Sequence, residues 1–159
     1  SSQQRLWPAI LSIYNTLPQK PKVAYFEGIS GIKQLYEDTL LSLKRGDEIL
    51  AYVTRETPEA LGDYTIDYVH RRVAKGIYLR GIYNDSPKIK KYLIQNKEQL
   101  RESKIASFKK FPLKNEINIY ANKVIIITYR PEPFGVMIES QEVADTQRAI
   151  FEMAWRGIH

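Results

Sequence analysis

Tyrosine offers the most suggestive chemistry in this sequence. There are 11, and Tyr25, Tyr52, Tyr78, Tyr83, Tyr120 and Tyr129 fall in stretches that read as strands. Strand ends border the usual ligand crevice of an open α/β sheet. Tyr25, Tyr52 and Tyr120 beside Arg80 and Lys123 would therefore line a polar-aromatic pocket suited to a small polar molecule. The same tyrosines also fit a plainer role, as core residues with one wet end. Other chemistry is sparse. Gly28-Ile29-Ser30-Gly31 lies between a strand and a helix, where backbone N–H groups could receive an anion, but it is too short for a P-loop and lacks its lysine. His70 stands beside Arg71 and Arg72 in a helical stretch, the setting of a surface or packing residue. The adjacent pairs Glu37-Asp38 and Asp47-Glu48 do not face one another on a helix or strand.

Composition removes whole classes of function. Cysteine is absent, so there is no disulfide framework, thiolate metal site or cysteine nucleophile. The only histidines are His70 and His159, too few for a histidine-built metal centre. No cofactor and no metal is expected. No apolar run reaches the ~20 residues of a membrane span, and the lack of cysteine suits a reducing cytoplasm. The chain opens on Ser1-Ser2 rather than Met and is expected to be continued upstream. Its 159 residues suit one domain with a sizeable core.

The net charge of +6 is concentrated. Residues 86–114 hold nine basic side chains against two acidic ones, so the rest of the chain is close to neutral. Lys88, Lys90, Lys91, Lys109 and Lys110 are the candidates for a patch that meets nucleic acid or another polyanion. A solvated helix and a lysine-protected edge strand would give the same composition.

The elements that must position these residues follow from periodicity and punctuation. Arg5 to Leu17 reads as a helix carrying Leu6, Trp7, Ile10, Ile13, Tyr14 and Leu17 as a wide apolar stripe, a candidate dimerisation surface. Pro18 and Pro21 end it. Lys22 to Glu27 reads as a strand, and Ser30 can cap a helix running to Arg45. Glu48 to Val53 is a second strand. Thr57-Pro58-Glu59 starts a helix that stops at Gly76. Ile77 to Tyr83 is a third strand. Asp85-Ser86-Pro87 opens the basic helix, expected to reach about Glu102, and Lys104 to Phe111 is a fourth strand. Two strands, Glu116 to Tyr120 and Lys123 to Tyr129, meet at the tight turn Ala121-Asn122. Phe134 to Glu139 is the last strand, and Ser140 caps the final helix. The order predicts an α/β fold: a mixed β-sheet flanked by helices on both faces, parallel in its first half and antiparallel in its second.

Several stretches carry a family resemblance. They are Pro21 to Ile32 (PKVAYFEGISGI), Ile119 to Ile127 (IYANKVIII), Glu132 to Ser140 (EPFGVMIES) and Ala144 to Trp155. Together they resemble the C-terminal part of TrmB-like transcriptional regulators. The resemblance implies a linker and dimerisation helix over residues 1–20 and a phospholipase-D-like regulatory domain over 21–159. A winged helix-turn-helix that contacts DNA would lie outside this chain. It further implies a cytoplasmic homodimer of prokaryotic type that responds to a small effector. Active phospholipase-D-like enzymes carry His-x-Lys with Asp following; the matching positions here are Ala121, Lys123 and Thr128. The lysine is kept while the nucleophile and the aspartate are not, which implies no phosphodiesterase activity. In the implied fold Lys123 lies with Tyr120, Arg80 and Ser140 in an anion-tolerant pocket. The chain ends just after its final helix, so the C-terminal region that recognises sugar in some members is expected to be missing, and a sugar is not the expected ligand. Direct nucleic-acid binding by the 88–114 segment, or an inert dimerisation scaffold, are the competing functions.

Overall fold

The computed structural model describes residues 20–159. The helix expected over Arg5 to Leu17, with Leu6, Trp7, Ile10, Ile13, Tyr14 and Leu17, lies outside the described residues. Within them the order is β1 (Lys22–Glu27), α1 (Gly28–Ser42), β2 (Glu48–Val53), α2 (Thr57–Leu61), α3 (Asp63–Lys75), β3 (Tyr78–Asn84), α4 (Pro87–Leu93), β4 (Arg101–Ala106), β5 (Glu116–Tyr120), β6 (Lys123–Thr128), β7 (Phe134–Glu139) and α5 (Gln141–Gly157). The strands form one seven-stranded sheet in the order β1-β7-β6-β5-β2-β3-β4. β2, β3 and β4 run parallel. β5, β6, β7 and β1 are joined by antiparallel pairing, and β5 meets β2 antiparallel at the centre. The mixed sheet read from the sequence is the one observed.

Strand alternation sends neighbouring side chains to opposite faces. One face packs Ile49, Tyr120, Ile125 and Ile127 against Ile32, Leu35 and Tyr36 of α1 and Tyr68 and Val69 of α3. The other packs Leu50, Ile82, Ile119 and Val124 against Ala144, Phe151 and Trp155 of α5. α4 joins the first face through Ile89, against Ala51, Val53 and Tyr83.

Several expected boundaries move, each for a local reason. α1 begins at Gly28, not after Ser30: Gly28 takes a left-handed φ of 68° and its N–H meets the Pro133 carbonyl at 2.9 Å. α1 also ends at Ser42 rather than Arg45. The single helix expected from Thr57 to Gly76 is broken at Gly62, where φ is 53°. The basic helix stops at Leu93, far short of Glu102, and β4 starts at Arg101 rather than Lys104. There the Arg101 N–H reaches the Asn96 carbonyl at 2.8 Å and its guanidinium Nε reaches Asn96 Oδ1 at 2.7 Å. These bonds turn the chain into the sheet, where parallel pairing with β3 begins at Leu79 opposite Arg101. At the β5–β6 turn the left-handed residue is Ala121, φ 48°, and not Asn122. The caps expected at Ser86 and Ser140 are present, accepting from the Ile89 and Val143 N–H groups.

α1 lies close on β7 because residue 135 has no side chain. A Cβ there would overlap Cδ1 of Leu35, which is fully buried. Gly135→Ala is expected to lower unfolding free energy by about 1–3 kcal/mol through overpacking, measured by urea denaturation.

Candidate functional site

The turn between β5 and β6 brings Tyr120 and Lys123 to the α1 side of the sheet. Both meet Asp38 of α1. The Tyr120 hydroxyl donates to Asp38 Oδ2 at 2.7 Å, and Lys123 Nζ donates to Oδ2 at 2.9 Å and Oδ1 at 3.2 Å. Lys123 also donates to Ser42 Oγ at 3.0 Å, and Ser42 donates to Asp38 Oδ2 at 3.1 Å. Burial pushes the Asp38 carboxyl up, but Tyr120, Lys123 and Ser42 more than offset it and hold it below the usual aspartate range. The ammonium of Lys123 is thus neutralised inside the fold.

The other residues expected around Lys123 are not brought to it. Arg80 and Tyr52 project from the opposite face of the sheet. Arg80 pairs with Glu48 and Glu152 and lies over the rings of Phe151 and Trp155, at 5.5 and 5.4 Å. Tyr52 packs edge-on against Phe151. Ser140 is occupied as the α5 cap, and Tyr25 is exposed on the edge strand β1 beside Phe134. These six residues therefore do not line one pocket, because strand alternation divides them between two faces and an edge.

The basic segment is also divided. Lys90, Lys91, Lys97, Lys109 and Lys110 are exposed. Lys88 is exposed but paired with Glu59. Arg101 is buried, with Nη2 on the Tyr92 carbonyl and its guanidinium 4.0 Å from the Tyr92 ring. Lys104 caps the last helix, donating to the Trp155 and Ile158 carbonyls. His70 is exposed on α3.

The cavity lies elsewhere, between α3 and the centre of the sheet. In register across the strands stand Asn118, Ala51 and Gly81. Two small residues beneath α3 leave a space of about 60 Å³, walled by Val53, Leu61, Val69, Leu79 and the rings of Tyr36, Tyr64, Tyr68, Tyr83 and Tyr92. That is room for a few water molecules. Its polar lining is Thr65, Arg72, Arg101, Glu116 and Asn118. Arg72 is almost wholly buried, yet its guanidinium Nη1 and Nη2 meet only the backbone, at Ile77 O and Gln99 O, both 2.6 Å. Its Nε–H has no partner, nor do Thr65 Oγ1 and Asn118 Nδ2.

Glu116 is buried on the same lining. Tyr36 and Tyr129 donate to its Oε2, the latter at 3.1 Å. Burial pushes its carboxyl up to about 7, against the opposing pull of Tyr36, Tyr129 and the nearby Asn118 amide. Of this lining only Tyr83 stands among the strand tyrosines singled out in the sequence. The available signal was the alternation Glu116-Ile117-Asn118-Ile119-Tyr120, which resembles a strand with a wet face. The folded chain binds the Glu116 proton more tightly than the unfolded chain. Stability from this group is therefore complete below about pH 4.5 and lost as pH rises through about 7. Urea denaturation across pH 5 to 8 is expected to show a fall of up to about 3 kcal/mol, and Glu116→Gln is expected to flatten it.

No family model matches the chain, and no curated protein matches it. Solved structures do. TrmBL2, an archaeal chromatin protein with a novel mode of DNA binding, aligns with a TM-score of 0.61 at 15% identity. The alignment covers 99% of this chain and 62% of TrmBL2, so the chain spans less than two thirds of that protein's length. Nuc from Salmonella typhimurium, a phospholipase D family member, aligns with a TM-score of 0.59 at 14% identity over 88% of this chain and 97% of its own. NucT from Helicobacter pylori gives 0.59 at 10% identity over 87% and 98%. Likeness at these identities is likeness of fold, and the chain has the phospholipase-D-like α/β fold.

Proposed function

We propose that the chain is a non-catalytic, effector-sensing and dimerising domain of a TrmB-like transcriptional regulator. It would act in the cytoplasm, with DNA contacted through a winged helix-turn-helix outside these 159 residues. The observation that carries the non-catalytic part is the pairing of Lys123 with Asp38. A lysine that holds a substrate phosphate must offer its ammonium to that phosphate. Here both Asp38 oxygens and Ser42 occupy it. Residue 121 is alanine, and His70 is exposed on a helix remote in sequence. The likeness to TrmBL2 over nearly the whole chain supports the regulatory setting.

The test is hydrolysis of bis(p-nitrophenyl) phosphate and of plasmid DNA. No turnover above buffer is expected, with the protein sedimenting as a dimer. Turnover that disappears in Lys123→Ala would overturn the reading.

A second reading, direct nucleic-acid binding, is favoured by one observation. Lys90, Lys91, Lys97, Lys109 and Lys110 are exposed and have no acidic partner among the described residues. On that reading affinity for duplex DNA falls steeply with salt, and Lys90, Lys91, Lys109 and Lys110 changed together to Glu abolish it. Under the favoured reading the isolated chain shows no DNA binding at 50 mM salt, measured by fluorescence anisotropy.

A further inference from the structure

The cavity under α3 has an unusual charge arrangement. Two guanidiniums, Arg72 and Arg101, are buried on its lining, with relative exposures of 1% and 6%. Their hydrogen bonds go to backbone carbonyls and to the Asn96 side chain. Neither meets a carboxylate at ion-pair distance among the described residues. Buried charges are ordinarily paired, because desolvation of an unpaired one is costly. Arg72 is held below its ordinary pKa chiefly by burial, and Arg101 adds repulsion.

The unpartnered groups on the cavity lining can all donate; Gln99 Oε1, an unpartnered acceptor, is not on that lining. Arg72 Nε–H is a donor buried without an acceptor, the Thr65 hydroxyl can serve as another, and the Asn118 amide lacks a partner at bonding geometry although the Glu116 carboxyl is near it. Each is a group that a native interior normally satisfies. The remainder of the wall is aliphatic or aromatic. Arg72, Glu116 and Asn118 are buried in its depth, whereas Tyr64, Thr65 and Tyr92 are half-buried. An occupant that completes this site carries negative charge and acceptor oxygens at one end and a short apolar body at the other. A guanidinium with an amide beside it is a natural receptor for a planar carboxylate. The volume of about 60 Å³ is well under the ~150 Å³ that takes a benzene ring, so the body has only a few carbon atoms.

We propose that the cavity between α3 and the sheet binds a short-chain monocarboxylate of two or three carbons, its oxygens on Arg72 Nε and Asn118 Nδ2 and its alkyl end against Ala51, Val53 and Leu79. The inference deepens the effector-sensing part of the proposed function and rests on it. Glu116 shapes the pH dependence. It is faced by Tyr36 of α1, Tyr68 of α3, Tyr83 of β3 and Tyr129 beyond β6, with Arg72 and Arg101 as the cations on the same lining. Ionised Glu116 repels an incoming carboxylate, so binding weakens as pH rises through 7.

The test is titration of the full chain with sodium propionate against sodium chloride at equal ionic strength, read by melting temperature and by the line width of carboxyl-labelled propionate in NMR. A saturable upward shift with propionate is expected, with none from the isosteric neutral propionamide or from inorganic phosphate. Affinity is expected to fall by up to about fivefold between pH 7 and 8. Asn118→Leu, which removes an unpaired amide and fills space, is expected to fold and to lose binding at least tenfold. Should Asn118→Leu not fold, Thr65→Val is the second variant, expected to weaken binding several-fold. Equal binding of propionamide, binding unchanged in the folded variants, or no propionate effect overturns the proposal. A sugar or nucleotide that shifts the melting temperature when propionate does not would overturn the carboxylate assignment and leave the sensing role standing. Phosphodiester turnover would overturn the regulatory reading and leave the carboxylate site to be judged by its own titration.

Discussion

A carboxyl group sits at the middle of this molecule with no cation at ion-pair distance among the described residues. Glu116 is 3% exposed, on the central antiparallel strand β5 and beneath α1. Burial of an unneutralised carboxylate is costly unless donors surround it. The donors here are phenols, which keep their protons across the physiological range. Tyr36 brings α1 to the carboxylate, and Tyr129 brings the chain that leaves β6. Tyr36 in turn lies edge-on to Tyr68, with centroids 5.0 Å apart, and Tyr68 shares a 2.6 Å hydrogen bond with Thr39. Tyr64 then bonds to Glu37, which Arg71 of α3 also holds. One buried carboxyl thereby accounts for the placing of Tyr36 and Tyr129, and through Tyr36 for the seating of α1 and α3 on the same half of the sheet.

Much of this fold was legible in the sequence and much of the site was not. Strand and helix periodicities gave the element order, Gly76 ended α3, and the two-residue turn at Ala121-Asn122 gave the β5–β6 hairpin. What failed was information that only register supplies. Tyr52, Arg80, Tyr120 and Lys123 all read as strand residues, but which pairs share a face depends on how β2, β3, β5 and β6 align. In the event Tyr120 and Lys123 share one face and Tyr52 and Arg80 the other. Glu116 and Asn118 were passed over for a related reason. Polar residues alternating with isoleucine read as a water-facing strand, whereas this strand is covered on both sides.

The basic segment illustrates the difference between a charge count and a charged surface. Arg101 and Lys104 contribute to the count from 86 to 114, yet one is interior and the other is consumed at a helix end. Arg101 also explains why the expected helix is cut short. A residue whose guanidinium must reach the Asn96 side chain and the Tyr92 carbonyl cannot stay on the solvated side of a continuing helix.

Lys104 ties an outer strand of the sheet to the last turn of α5, some fifty residues later in the chain. α5 supplies Ala144, Phe151 and Trp155 to its whole side of the sheet, and β1 finds its partner only when residues 134–139 exist. Contacts so distant in sequence slow closure of the fold. During synthesis from the N-terminal end, Leu50, Ile82, Ile119 and Val124 are made long before anything can cover them. That half of the sheet therefore stays uncovered until α5 has been made.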